Sequence, residues 1–174
     1  MTKLIWYPEE GRGYLEVAGD KYDKAYFDKY QRYAKTEIGA KLINFRLNIA
    51  KRHIKGKILD VGIGSGQFVK EANAYGYDIN PVAVRLLCKI DRYLDPYNED
   101  ISHISGVTFF DSFEHIRDLG KLLSRLKGKT LIISIPIFKS AEDALKSRHF
   151  RPNEHYHYFT KDGLVRFMDK RSFR

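Results

Sequence analysis

Lys57-Ile58-Leu59-Asp60-Val61-Gly62-Ile63-Gly64-Ser65-Gly66-Gln67-Phe68, followed by Tyr77-Asp78-Ile79-Asn80, is the stretch on which the fold turns. It reads as a buried strand running into a glycine-rich turn, with an acid at the end of the next short apolar run. An open α/β sheet needs that order to hold a nucleotide-like ligand at its carboxyl edge. The glycines permit positive φ and let backbone come close to a ligand. Asp78 has the acceptors for two ribose hydroxyls. The spacing also fits the alternatives poorly. A dinucleotide fingerprint would place its third glycine at position 67, which is Gln, and a P-loop would need a Lys after its glycines. Asp60, directly before the loop, suits a cationic ammonium group better than a pyrophosphate. A bare strand-to-helix turn is the plain alternative, and it leaves the spacing of the two acids unexplained.

These residues resemble a known family. Leu59-Asp60-Val61-Gly62-Ile63-Gly64-Ser65-Gly66 is similar to the D-x-G-x-G-x-G signature of class I S-adenosylmethionine-dependent methyltransferases. Asp78 matches the acid after their second strand. Val107-Thr108-Phe109-Phe110-Asp111-Ser112-Phe113-Glu114-His115 resembles the fourth strand and its D-x-x-E-H ending in small-molecule methyltransferases. Leu131–Pro136 resembles the fifth strand, and Glu154-His155-Tyr156-His157-Tyr158-Phe159-Thr160 the stretch before a late helix. The likeness runs from about Tyr22 to Phe173. It implies a doubly wound, mainly parallel α/β sheet of Rossmann-like type, reduced in size and preceded by a helical segment. It further implies S-adenosyl-L-methionine as cofactor, held by Asp60, Gly62, Ile63, Gly64, Ser65, Gly66, Asp78, Ile79, Phe110 and Asp111.

Read outward from the glycine loop, the chain alternates strands and helices, as a parallel α/β sheet requires. Residues 1–20 suggest an irregular arm or short hairpin. A long helical stretch covers 22–53, with a break expected near Gly39. Strands are expected at 58–61, 75–79, 107–111 and 130–136. Helices are expected at 66–73, 81–94, 114–127, 140–148 and 161–170. Asn80-Pro81 is a good helix start, and Asp95-Pro96-Tyr97 reads as a turn. Tyr22, Tyr26, Tyr30 and Tyr33 share one helical face, either packed on the sheet or forming a lid over the cofactor. The whole is expected to be one domain, with an arm and helices over 1–55, a cofactor core over 56–138 and a substrate-side segment over 139–174.

Composition narrows the partners. The chain of 174 residues carries a net charge of +9, unevenly spread. Residues 1–55 hold 12 basic against 7 acidic residues, 56–138 hold 10 against 10, and 139–174 hold 9 against 5. Basic flanks around a neutral core read either as a substrate side for an anionic small molecule, with nucleic acid as the alternative, or as a plain solvated basic surface. No apolar run of roughly 18 residues is present, so no membrane span is expected. Leu4–Tyr7 is too short for a signal-peptide core. The single cysteine, Cys88, excludes an intramolecular disulfide and suits a reducing cytoplasm. It is expected to pack in the core from an apolar helix face.

Two departures from the family bear on the architecture. Only eleven residues separate Gly66 from Asp78, which shortens the first helix, and no clear third strand lies between Asp95 and Val107. The sheet is therefore expected to have five strands or fewer. The chain also ends where relatives continue into an antiparallel strand pair, so it reads as either a compact form or a truncated one. An uncovered edge would offer a surface for oligomerisation. For catalysis, His115 is the candidate general base, because an imidazole titrates near neutrality; capping or packing at the start of the following helix is its plain alternative. Glu114, His155 and His157 are assigned to the substrate side with Tyr26 and Tyr30. Asp111, Glu114 and His115 resemble an E-x-x-E-H metal arrangement of some ubiquinone-pathway O-methyltransferases. The first acid is one methylene shorter here, and no metal is assigned. The competing readings are a nucleic-acid methyltransferase, a cofactor-binding scaffold without turnover and, more distantly, an NAD enzyme.

Overall fold

The structure is a computed structural model that describes residues 3–17 and 22–173. In chain order its elements are strands β1 (Ile5–Tyr7) and β2 (Arg12–Tyr14), helices α1 (Lys24–Ala34) and α2 (Glu37–His53), strand β3 (Lys57–Val61), helix α3 (Gln67–Ala72), strand β4 (Tyr75–Tyr77), helix α4 (Pro81–Lys89), strand β5 (Ile104–Phe110), helix α5 (Leu119–Arg125), strand β6 (Thr130–Ser134), helix α6 (Ala141–Lys146), strand β7 (His157–Phe159) and helix α7 (Lys161–Asp169). Two compact units divide them. One comprises residues 21–110 and 129–133; the other comprises 1–20, 111–128 and 134–174.

The first unit carries a four-stranded sheet in the order β4-β3-β5-β6. β3 pairs in parallel with β4 on one side and with β5 on the other. Because the chain leaves β3 for one neighbour and returns to the opposite one, the carboxyl end of β3 is a topological switch point. The sequence explains the central place of β3: Ile58, Leu59, Asp60 and Val61 are all buried, as a strand covered on both faces must be. One apolar cluster sets Ile43, Leu47 and Ala50 of α2 against Ile58 and Phe68. A second sets Phe27 of α1 against Ile63, Val69, Ala83 and Leu87. As the sequence suggests, no full third strand forms; a single parallel bridge between Gly76 and Tyr93 stands in its place. Asp95–Asn98 form a turn in which Asp95 Oδ1 accepts from the Tyr97 amide at 2.8 Å.

Several expectations need correction. The break in the N-terminal helices falls at Lys35–Thr36, where Thr36 Oγ1 caps α2 by accepting from the Gly39 amide at 3.0 Å. Gly39 instead marks a tight corner, since a Cβ there would lie 2.2 Å from the Tyr33 carbonyl. Phe27 is the one buried residue of α1, so the tyrosine face does not pack into the core. Cys88 is exposed rather than buried. Ala83 and Leu87 form the inward stripe of α4, and the next position turns about 100° away from it. The helix expected at 114–127 is a 3₁₀ turn over Phe113–His115 followed by α5, which Asp118 caps by accepting from the Lys121 amide at 2.9 Å.

The second unit holds a three-stranded antiparallel sheet, β1-β2-β7. Its N-terminal hairpin takes β7 as third strand, with Arg12 opposite Phe159 and Tyr14 opposite His157. Leu15, Val17, Phe138, Ala144, Tyr156 and Tyr158 form the core. Gly11 turns the hairpin at φ +63°, and a Cβ on Gly163 would fall 1.9 Å from the Gly11 carbonyl oxygen. Hairpin and α7 therefore meet through bare backbone. No helix among the described residues is long and apolar enough to cross a membrane.

Candidate functional site

At the carboxyl end of β3 the chain alternates glycine with larger residues. Gly62, Gly64 and Gly66 all take left-handed conformations, at φ +78°, +53° and +74°. A side chain at any of them would be strained. The Gly62 amide donates to the Tyr77 carbonyl and the Gly66 amide to the Ile63 carbonyl, both at 2.8 Å, so the loop closes on itself while α3 starts from Gly66. Gln31 of α1 donates to the Ser65 carbonyl. A Cβ built on Gly64 would meet only Tyr30, at 3.7 Å, which leaves the backbone there approachable. Tyr22, Tyr26 and Tyr30 form a ladder with ring centroids 5.0 Å apart, and the hydroxyls of the last two lie 3.2 Å from each other.

Two carboxylates flank this loop. Asp60 is 2% exposed; Thr108, its partner in the β5 register, donates to Oδ1 at 2.6 Å. Burial pushes Asp60 up to about 7, against the pull of the Thr108 hydroxyl and the Arg46 guanidinium. Asp78 lies beyond β4, its Oδ1 accepting from the Asn80 amide at 2.8 Å. Burial raises it too, opposed by the backbone amides of Asn80, Ile63, Ile79 and Gly64. Its carboxylate thus faces the glycine loop. Ile79, beside it, is 54% exposed, an apolar surface next to a hydrogen-bonding acid. Phe110 ends β5 in the same unit; its ring lies 5.0 Å from Phe68, edge to face, and 4.8 Å from the Arg46 guanidinium.

The remaining predicted residues lie in the other unit. Asp111 ends β5 by turning to φ +58°. Its amide donates to the Ser134 carbonyl at 2.9 Å, and Ser134 Oγ donates to its Oδ1 at 3.0 Å. The 3₁₀ turn that follows buries Phe113 and Glu114. The Tyr156 amide donates to the Glu114 carbonyl at 2.9 Å, which brings the segment before β7 alongside this turn. Glu114 Oε1 lies 4.0 Å from His115 Nε2 and 3.9 Å from His155 Nε2. The two imidazole rings meet edge to face at 4.6 Å. Burial raises Glu114 to about 8 and lowers His115 to about 4 and His155 to about 3. His115 is therefore a neutral, weakly basic imidazole. His157, 7% exposed, donates through Nε2 to the Ile116 carbonyl at 2.9 Å; burial holds it near 4.

The structure thus has Asp60, Gly62–Gly66, Asp78, Ile79, Phe110, Tyr26 and Tyr30 in one unit, and Asp111, Glu114, His115, His155 and His157 in the other. Sequence reading missed Thr108, Arg46 and Gln31. Only Thr108 had a signal, as a polar residue inside the apolar strand β5; the other two lie on helices with no motif.

Comparisons with known proteins agree with this geometry. Residues 24–174 match the family described as "Methyltransferase domain". Among solved structures the chain is similar to a SAM-dependent methyltransferase, possible histamine N-methyltransferase, from Thermotoga maritima. The TM-score is 0.63 at 17% identity, covering 86% of this chain and 78% of that one. At that identity the likeness speaks for the fold. Comparison with curated proteins gives no match.

Proposed function

The chain belongs to the methyltransferase-domain family, and from that premise we propose that it methylates an oxygen or nitrogen atom of a small, anionic acceptor. Its donor, S-adenosyl-L-methionine, supplies an electrophilic methyl group on a sulfonium sulfur. In methyl transfer the C–S bond breaks as the C–O or C–N bond forms, and a proton leaves the acceptor atom.

The observation that carries this reading is the run of three left-handed glycines between two buried or half-buried acids at a sheet switch point. Asp78 takes the ribose hydroxyls, Ile79 offers an apolar face to the base, and the open backbone at Gly64 admits the ligand closely. Asp60 pairs with the amino-acid ammonium. Its ionisation, held back by burial, is completed when a cation arrives. Tyr26 and Tyr30 flank the loop on the substrate side. The basic flanks support an anionic acceptor, and the single thiol suits a cytoplasmic location.

The test is calorimetric titration with S-adenosylhomocysteine, with NAD as counter-ligand. Micromolar binding that Asp78→Ala abolishes is the expected result. A folded protein that binds NAD, or neither ligand, overturns the reading. Basic flanks with interleaved aromatics favour a nucleic acid as the second acceptor class. A salt-sensitive gel shift at low ionic strength would select it.

A further inference from the structure

We propose that Glu114, His115 and His155 form a binding site for one divalent transition-metal ion, with Zn²⁺ the physiological class. The three side chains offer two imidazole nitrogens and a carboxylate oxygen whose ligating atoms all lie within 4.8 Å of one another. The separations argue for a shared ion rather than a hydrogen-bonded triad. At 3.9 and 4.0 Å from Glu114 Oε1, neither histidine nitrogen is close enough to hydrogen-bond to it. Donors that each hold one tetrahedral zinc at about 2.0–2.1 Å sit roughly 3.4 Å apart, so each Glu–His pair closes by about half an ångström and no pair by more than about 1.4 Å.

The second observation is independent of that clustering. Glu114 is 2% exposed, and its Oε2 is buried without a hydrogen-bond partner. A lone buried carboxylate oxygen is costly unless something cationic meets it. The surroundings support ligation too. The Glu154 backbone carbonyl accepts from the His115 ring, the kind of outer contact that orients a ligating imidazole. His155 is fixed by its own amide, which donates to the Arg151 carbonyl at 2.8 Å. Nitrogen and oxygen donors in a set of three suit zinc or cobalt over magnesium or calcium, and leave a fourth position for water or an acceptor atom. The set differs from the one that the sequence resemblance pointed to. Asp111 hydrogen-bonds with Ser134 and is not in the cluster, and His155 comes from a different segment of the chain.

Cobalt reports this site without any turnover, so the result stands apart from the cofactor reading. Chelator-treated full-length protein is titrated with Co²⁺ and followed by visible d–d absorption. The expected result is one ion per chain, displaced by Zn²⁺. Glu114→Gln and His155→Ala should each weaken binding at least 100-fold, with circular dichroism confirming the fold, whereas Asp111→Asn binds as before. The triple variant His53→Ala, His103→Ala, His149→Ala should retain the absorption. It keeps the test decisive even if the first two variants misfold. Absence of absorption in folded wild-type protein overturns the proposal. So does its loss in the triple variant, its loss in Asp111→Asn, or its persistence in both His155→Ala and Glu114→Gln.

Discussion

The glycine crevice of one unit and the Glu-His-His cluster of the other use opposite materials. The crevice is made of backbone: three left-handed residues, amides turned toward Asp78, and an open approach at Gly64. The cluster is made of side chains brought in from two segments, Glu114 and His155 buried and His115 partly so. Backbone sites are written locally, because a glycine is needed where φ is positive whatever lies elsewhere. Side-chain sites depend on which segments the fold brings alongside. The two regions should therefore fail differently when altered.

The largest effect should come from breaking the backbone of the crevice. Gly66→Val puts a β-branched residue at φ +74°, with its Cβ 3.0 Å from Leu86 Cδ2. It should cost roughly 3 kcal/mol and abolish S-adenosylhomocysteine binding, as urea unfolding and calorimetry would show. If the variant still binds, the crevice does not depend on its backbone.

Next is Asp60. Its folded pKa of about 7 lies above the ordinary carboxylate value of 3.8. Between those pH values the folded chain holds a proton that the unfolded chain has lost. Stability therefore falls as pH climbs through that window, by an amount on the order of 2–4 kcal/mol. Asp60→Asn keeps an acceptor for Thr108 and has no charge to bury. It should be more stable than wild type at pH 8, with the difference gone near pH 4, and should bind S-adenosylhomocysteine more than tenfold more weakly. Thermal melts across pH decide the first point; an equal shift at both pH values would refute it.

In the side-chain region, His157→Leu removes the donor to the Ile116 carbonyl and leaves that acceptor unmet. A loss of about 1–3 kcal/mol is expected without change in S-adenosylhomocysteine affinity. A large affinity loss would mean that the two regions are less separable than the contrast holds. The smallest effect should be Gln31→Ala. This removes the amide donor to the Ser65 carbonyl and should weaken binding only a few-fold, by calorimetry, with stability within about 0.5 kcal/mol.

The same contrast accounts for what could be read in advance. Strand β3, the loop after it and the Asn80-Pro81 start of α4 follow from neighbours in the chain, and the structure has them where the residues predict. The tyrosine face was visible as a period, but its surroundings were not. Nothing local says that Phe27 and not Tyr26 points inward. Cys88 failed for a similar reason: an apolar segment wider than the buried stripe leaves one edge exposed. Asp111, Glu114 and His115 stood out as a motif, yet the partner of Glu114 and His115 is His155, some forty residues on, which sequence spacing does not reveal. Pairing of β2 with β7 joins opposite ends of the sequence and carries no local signal at all.

That last pairing has a consequence in time. The unit of residues 21–110 and 129–133 draws on one nearly continuous stretch and has most of its partners at hand early in synthesis. The hairpin of β1 and β2 precedes this unit in the chain, but Arg12 must wait for Phe159 and Gly11 for Gly163. Until then it is a two-stranded ribbon without its third strand, and such ribbons are at best marginally stable in water. Closing so long a loop is slow. The strands of this hairpin are thus made well before they find their place.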